Sequence, residues 1–115
     1  MQEYKGVIID KALTDNRLIN HFDVCKVHIT NHEKPSSRWI MFEVLASLEQ
    51  IEMLKSHMKK SWYIHFWKDD EVIALFKGKS FTFNYSAKST WSDVLRHGKL
   101  IGIPEEQLDF PIEGL

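Results

Sequence analysis

Six histidines and a single cysteine in 115 residues are the first places to look for chemistry. His28 and His32 stand at i, i+4, a spacing that chelates a metal on a helix. They lie on or beside a β-branched segment, Phe22 to Thr30, that reads as a strand. Four strand residues span roughly 13 Å, far beyond what one zinc ion with bonds of about 2 Å can bridge. No HExxH, CxxC or paired Cys/His signature occurs. A metal would require His21, His28, His65 and carboxylates to converge from distant segments, so none is expected. Cys25 needs a histidine partner to act as a nucleophile, and its flanks, FDVCKVH, suit a cysteine that fills space. Asp69 and Asp70 fit a tight turn, and Glu105 and Glu106 fit the first turn of a short helix; neither pair reads as an acid/base dyad. No glycine-rich phosphate loop or nucleophile elbow is present, and no cofactor is expected.

The aromatic residues carry a stronger signal. SWYIHFWKDDEVIALFKGKSFTFNY, Ser61 to Tyr85, reads as three strands joined by two tight turns. A turn at Asp69–Asp70 pairs Lys68 with Glu71, Trp67 with Val72, Phe66 with Ile73 and His65 with Ala74. A second at Gly78–Lys79 pairs Lys77 with Ser80, Phe76 with Phe81 and Ala74 with Phe83. Directly paired residues share a face. One face then holds Trp62, Ile64, Phe66, Ile73, Leu75 and Thr82; the other holds Tyr63, His65, Trp67, Val72, Ala74, Phe76, Phe81, Phe83 and Tyr85.

Both faces are apolar, and the second is the more demanding. Six aromatics at about 150 Å² each amount to roughly 900 Å², well above the apolar patch a monomer usually exposes. Leaving it wet would forgo on the order of 20 kcal/mol, an upper bound that still exceeds a typical net stability. Three coverings compete: the protein's own N-terminal segment, second helix or C-terminal tail; a second copy in a homodimer; or a ligand in a groove. Tyr63, His65, Trp67, Phe76, Phe81 and Phe83 are therefore the candidate ligand or interface residues. Tyrosine, histidine and tryptophan suit a small-molecule pocket because each sets a polar tip on an apolar body.

Several elements must position these residues. Tyr4 to Asp10 reads as a first strand, LTDNRLINHF as a turn or short helix with Thr14 and Asp15 as caps, and Asn31 to Arg38 as a loop. Trp39 to Ala46 is a strand. Ser47 and Gln50 have capping-box spacing ahead of Leu48, Ile51, Leu54 and Met58, which predicts a helix over 48–60. A second helix is expected over 90–97, capped by Thr90 and ended by Gly98 in a left-handed turn. Pro104 opens a short helical turn, after which DFPIEGL trails off.

Composition bounds the function classes. The chain is 43% hydrophobic and 27% charged, with a formal net charge of −1. These values fit one soluble domain with a sizeable core and supply no global field toward nucleic acid or membranes. Lys77 and Lys79 beside Phe76, Phe81 and Phe83 are ingredients of single-strand recognition, but nucleic acid is disfavoured by the balanced charge and the missing ribonucleoprotein signature. One cysteine suits a reducing compartment. With no apolar stretch near membrane-span length and no basic-then-apolar leader, a cytoplasmic setting is expected.

YKGVIID near the start, SWYIHF in the middle and LIGIPEEQLDF near the end resemble a family of small uncharacterised prokaryotic proteins. The likeness spans nearly the whole chain and rests on strands, turns and caps. It implies a single compact bacterial or archaeal domain and brings no activity, cofactor or catalytic residue with it.

The expected architecture is α+β: a single domain over 1–115, with a mainly antiparallel sheet of five or six strands and two helices packed on one face. The element order from Trp39 to His97 suggests a ferredoxin-like version, whose final strand would fall on KLIGI. The leading functional expectation is a non-enzymatic binding or interaction domain using the aromatic face, as a homodimer or with a small-molecule ligand. The competing ones are a pocket enzyme with His65 and Tyr63 as acid/base residues, and single-stranded nucleic-acid binding.

Overall fold

The computed structural model describes residues 3–115 and shows an α+β fold built on one six-stranded antiparallel sheet. Its strands are β1 (Tyr4–Ile9), β2 (Asp23–Ile29), β3 (Ile40–Ala46), β4 (Ile64–Lys68), β5 (Glu71–Phe76) and β6 (Lys79–Asn84). They lie in the order β2-β3-β1-β4-β5-β6. The helices are α1 (Leu48–Leu54) and α2 (Ser92–Leu100).

The β4–β5 pairing matches the expected register from Lys68↔Glu71 to His65↔Ala74. The β5–β6 register differs: Phe76 pairs with Lys79, and Ala74 with Phe81. The turn therefore sits on Lys77–Gly78, where Gly78 takes φ +74° at the second central position. That is left-handed backbone, which glycine adopts without steric penalty. The slip in pairing is two residues, an even number, so every side chain keeps its expected face.

The two helices do not share a face, contrary to the sequence expectation. Ile51 and Leu54 of α1 join Ala12, Leu13, Ile19 and Phe22 over Tyr4, Ile8, Val44, Ile64, Phe66, Ile73 and Leu75. Gly6 lies under this layer because a Cβ there would come within 2.2 Å of the Phe66 ring. Val94 of α2 and the adjoining Trp91 pack on the opposite, aromatic face with Trp67, Val72, Phe76 and Phe83. Each face buries a large apolar area, so each recruits one helix.

Both helices also end elsewhere than expected. The Ser47–Gln50 capping box forms with both of its hydrogen bonds, yet α1 stops at Leu54 and is followed by a short 3₁₀ turn. There the backbone bonds to distant segments: Gly78 N donates to Lys55 O, Thr14 N to His57 O and Lys59 N to Ala12 O. Met58 is fully buried in an extended bridge to Leu13, whereas Leu48 of α1 remains exposed. In α2, Gly98 is helical and buried, with room for no Cβ against Leu108 at 2.7 Å. The left-handed turn falls to Gly102, at φ +94°. Thr90 bonds Ala87 O and accepts from Asn84 N, holding the approach to α2 without capping it. Lys99–Ile103, which a ferredoxin-like core needs as a strand, completes α2 and turns.

Candidate functional site

The C-terminal segment from Ile103 onward has little regular structure beyond a 3₁₀ turn at Glu105–Gln107. It nevertheless folds back over the aromatic face. Phe110 is fully buried, in edge-to-face contact with Tyr63, His65, Phe83 and Trp91 at 5.0–5.8 Å between ring centres. Ile103 and Leu108 are buried beside it. Phe110 sits at φ +43° immediately before Pro111, a strained setting that ring packing must offset. Two polar tips anchor the segment: Tyr63 Oη donates to Gln107 O, and His65 Nε2 lies 2.6 Å from Pro111 O. The chain's own tail is thus the main cover of the face, together with α2.

That cover is incomplete for a geometric reason. Nine helical residues extend roughly 13 Å, whereas six strands spread roughly 24 Å between outer axes. Over β3, β1 and the start of β4 the face is left to the tail alone. A groove of about 620 Å³ opens there. Val7, Ile9, Met41, Tyr63 and His65 form its floor, Trp39 and Trp62 stand at one end, and Ile103, Glu106, Gln107, Asp109, Pro111 and Glu113 line the tail side. The two indoles meet edge to face, 5.5 Å between centres and 65° between planes. Ser61, at φ +64°, donates its hydroxyl to Ile101 O and so ties the loop bearing Trp62 and Tyr63 to the end of α2.

The electrostatics are one-sided. Glu106, Asp109 and Glu113 line the groove, with no lysine or arginine among the lining residues. Burial, helped by the Asp109 carboxylate, pushes the Tyr63 hydroxyl up to about 12. Burial also holds His65 below its ordinary value, outweighing the Pro111 carbonyl and Asp109, which favour the proton. A carbonyl can only accept, so the neutral imidazole carries its hydrogen on Nε2 and keeps a lone pair on Nδ1.

The six expected site residues therefore separate. Tyr63 and His65 reach the groove. Trp67, Phe76 and Phe83 are buried in the core of that face, and Phe81 is half-buried at its edge against His97. Trp39, Trp62 and the three tail carboxylates belong to the site but were not among the candidates. The recurrence of apolar residues at every second position, Leu108, Phe110 and Ile112, was the available signal that the tail packs. No three of histidine, cysteine, aspartate or glutamate converge on a metal-binding geometry among the described residues. Cys25 is an exposed thiol at a bulge in β2, and Asp70 is engaged by the Ser86 amide and hydroxyl. No described helix is long and apolar enough to cross a membrane. No family model, no curated protein and no solved structure matches the chain.

Proposed function

We propose that this protein is a non-enzymatic binding domain whose ligand occupies the groove between the sheet and the C-terminal tail. The observation that carries this reading is the groove itself: about 620 Å³ with an apolar floor and two tryptophans at its end. That volume lies within the range of small-molecule sites, and the mixture of apolar walls with a few polar groups is their usual composition. The acid/base alternative has less support. The Tyr63 hydroxyl and His65 Nε2 are both engaged by tail carbonyls, and a phenol pushed up to about 12 is a poor base near neutrality. Nucleic-acid stacking is weakened because Phe76 and Phe83 are enclosed.

The test is a fragment screen by NMR that follows the four indole N–H signals. Binders should shift Trp39 and Trp62, leave the buried Trp91 in place, and lose affinity about tenfold or more in Trp39→Ala, where an exposed ring is removed. Binders that ignore both groove indoles would contradict the proposal.

Self-association is a second reading, favoured by one observation. The edge strand β2 exposes Val24, Val27 and Ile29 at 42%, 52% and 53%, and an unpaired apolar edge is a template for a second copy. A homodimer through the aromatic face would instead have to displace the tail. A cytoplasmic prokaryotic setting is supported by the single cysteine and by the likeness noted in the sequence.

A further inference from the structure

We propose that the groove selects an organic cation, a substituted ammonium carried on a small apolar body; this rests on the groove being the ligand site. Two features of different origin converge on that chemistry. Trp39 and Trp62 both line the groove, meeting edge to face, with Trp62 also packed against the core of the opposite sheet face, and Tyr63 adds a third ring to the lining. Aromatic faces attract a weakly hydrated cation through the ring quadrupole, and tryptophan does so best.

The second feature is the charge of the lining. Glu106, Asp109 and Glu113 come from the tail side, and no cationic side chain lines the groove to answer them. None of the three takes part in an ion pair among the described residues: the neighbouring Lys99 binds Glu105 instead. His65 supplies no compensating charge, since burial keeps its imidazole neutral. An anionic ligand would meet repulsion on three counts. A neutral one would gain only the apolar floor. A cation gains the floor, the rings and the carboxylates together. A quaternary ammonium fits better than a bare amine, because its methyl groups reduce the desolvation opposing entry and need no hydrogen-bond acceptor.

The experiment uses the full chain and two probes of equal shape: choline, and 3,3-dimethylbutan-1-ol, in which carbon replaces the charged nitrogen. Each is titrated while the indole N–H signals are followed. Choline should shift Trp39 and Trp62 with an affinity about tenfold or more above that of the alcohol. In a Glu106→Gln, Asp109→Asn, Glu113→Gln variant, whose altered side chains are all exposed, choline should lose most of that advantage while the alcohol binds unchanged. Equal affinity for the two probes would overturn cation selection and leave the groove as a ligand site. Failure of both probes to move the two indoles up to their solubility limits, in a protein whose spectrum is that of a folded domain, would overturn both.

Discussion

At the residue scale, burial sets the proton chemistry of His65. Its proton affinity in the folded state is held below the ordinary value near 6.5, chiefly by burial. The unfolded chain therefore takes up the proton first as pH falls. His65 contributes stability above about pH 6.5, and that contribution is lost as pH drops from there through the depressed folded value. His97, lowered by burial and by Lys79, acts in the same direction, so the comparison must isolate His65. A His65→Gln variant keeps an N–H for Pro111 O. Its urea midpoint should fall less than the wild type's between about pH 8 and about pH 5; parallel profiles would show that this imidazole titrates as if exposed. The importance of His65 and Tyr63 was legible in the sequence because tight-turn chemistry fixes which residues share a strand face. The importance of Trp39 was not, since nothing local brings the start of β3 beside Trp62.

At the scale of elements, the tail is where sequence reasoning lost its footing. DFPIEGL forms neither helix nor strand, and the alternation of Leu108, Phe110 and Ile112 is too short to say what they pack against; tertiary contacts reveal that Phe110 is a buried anchor. Phe110→Ala should destabilise the protein by about 3–5 kcal/mol, the usual range for removing a buried phenylalanine. Phe110→Leu should cost clearly less. Urea unfolding measures both, and an alanine variant within about 0.5 kcal/mol of wild type would mean that the ring is solvated. The tail should also register Gly98→Val, since even a Cβ at that position meets Leu108 within 2.7 Å. Such a variant should lose stability by about 1–3 kcal/mol through overpacking, read by the same denaturation. The hairpins behaved differently. Their faces were readable because β4–β5 pairs in the expected register and the two-residue slip in β5–β6 preserves the alternation, whereas the position of the second turn depended on Gly78 taking positive φ. Helix α1 shows a third case: its start is written in a local capping box, and its end is decided by hydrogen bonds to residues 12–14 and 78.

For the whole molecule, the governing fact is that a six-stranded sheet with two apolar faces has, among the described residues, two short α-helices to cover them. Each face takes one α-helix, and the remainder falls to short 3₁₀ helices within residues 10–22 on one side, where Asp15 caps Asn16–His21 as the sequence suggested, and to the tail on the other. The need for cover could be deduced from aromatic content alone, but the identity of the cover required the strand order. The uncovered apolar surface of β2 sets the prediction at this scale. If it pairs copies, light scattering should show a concentration-dependent dimer that Val27→Lys with Ile29→Lys abolishes without changing the fold; a wild type that stays monomeric at every concentration removes that reading. The central claim, that the tail closes the aromatic face and leaves the groove beside it, is tested most directly by NOE spectroscopy of the Phe110 ring. Cross-peaks from Phe110 to the rings of Tyr63, Phe83 and Trp91 are the expected result. Phe110 signals at random-coil positions, without contacts to those rings, would contradict the account.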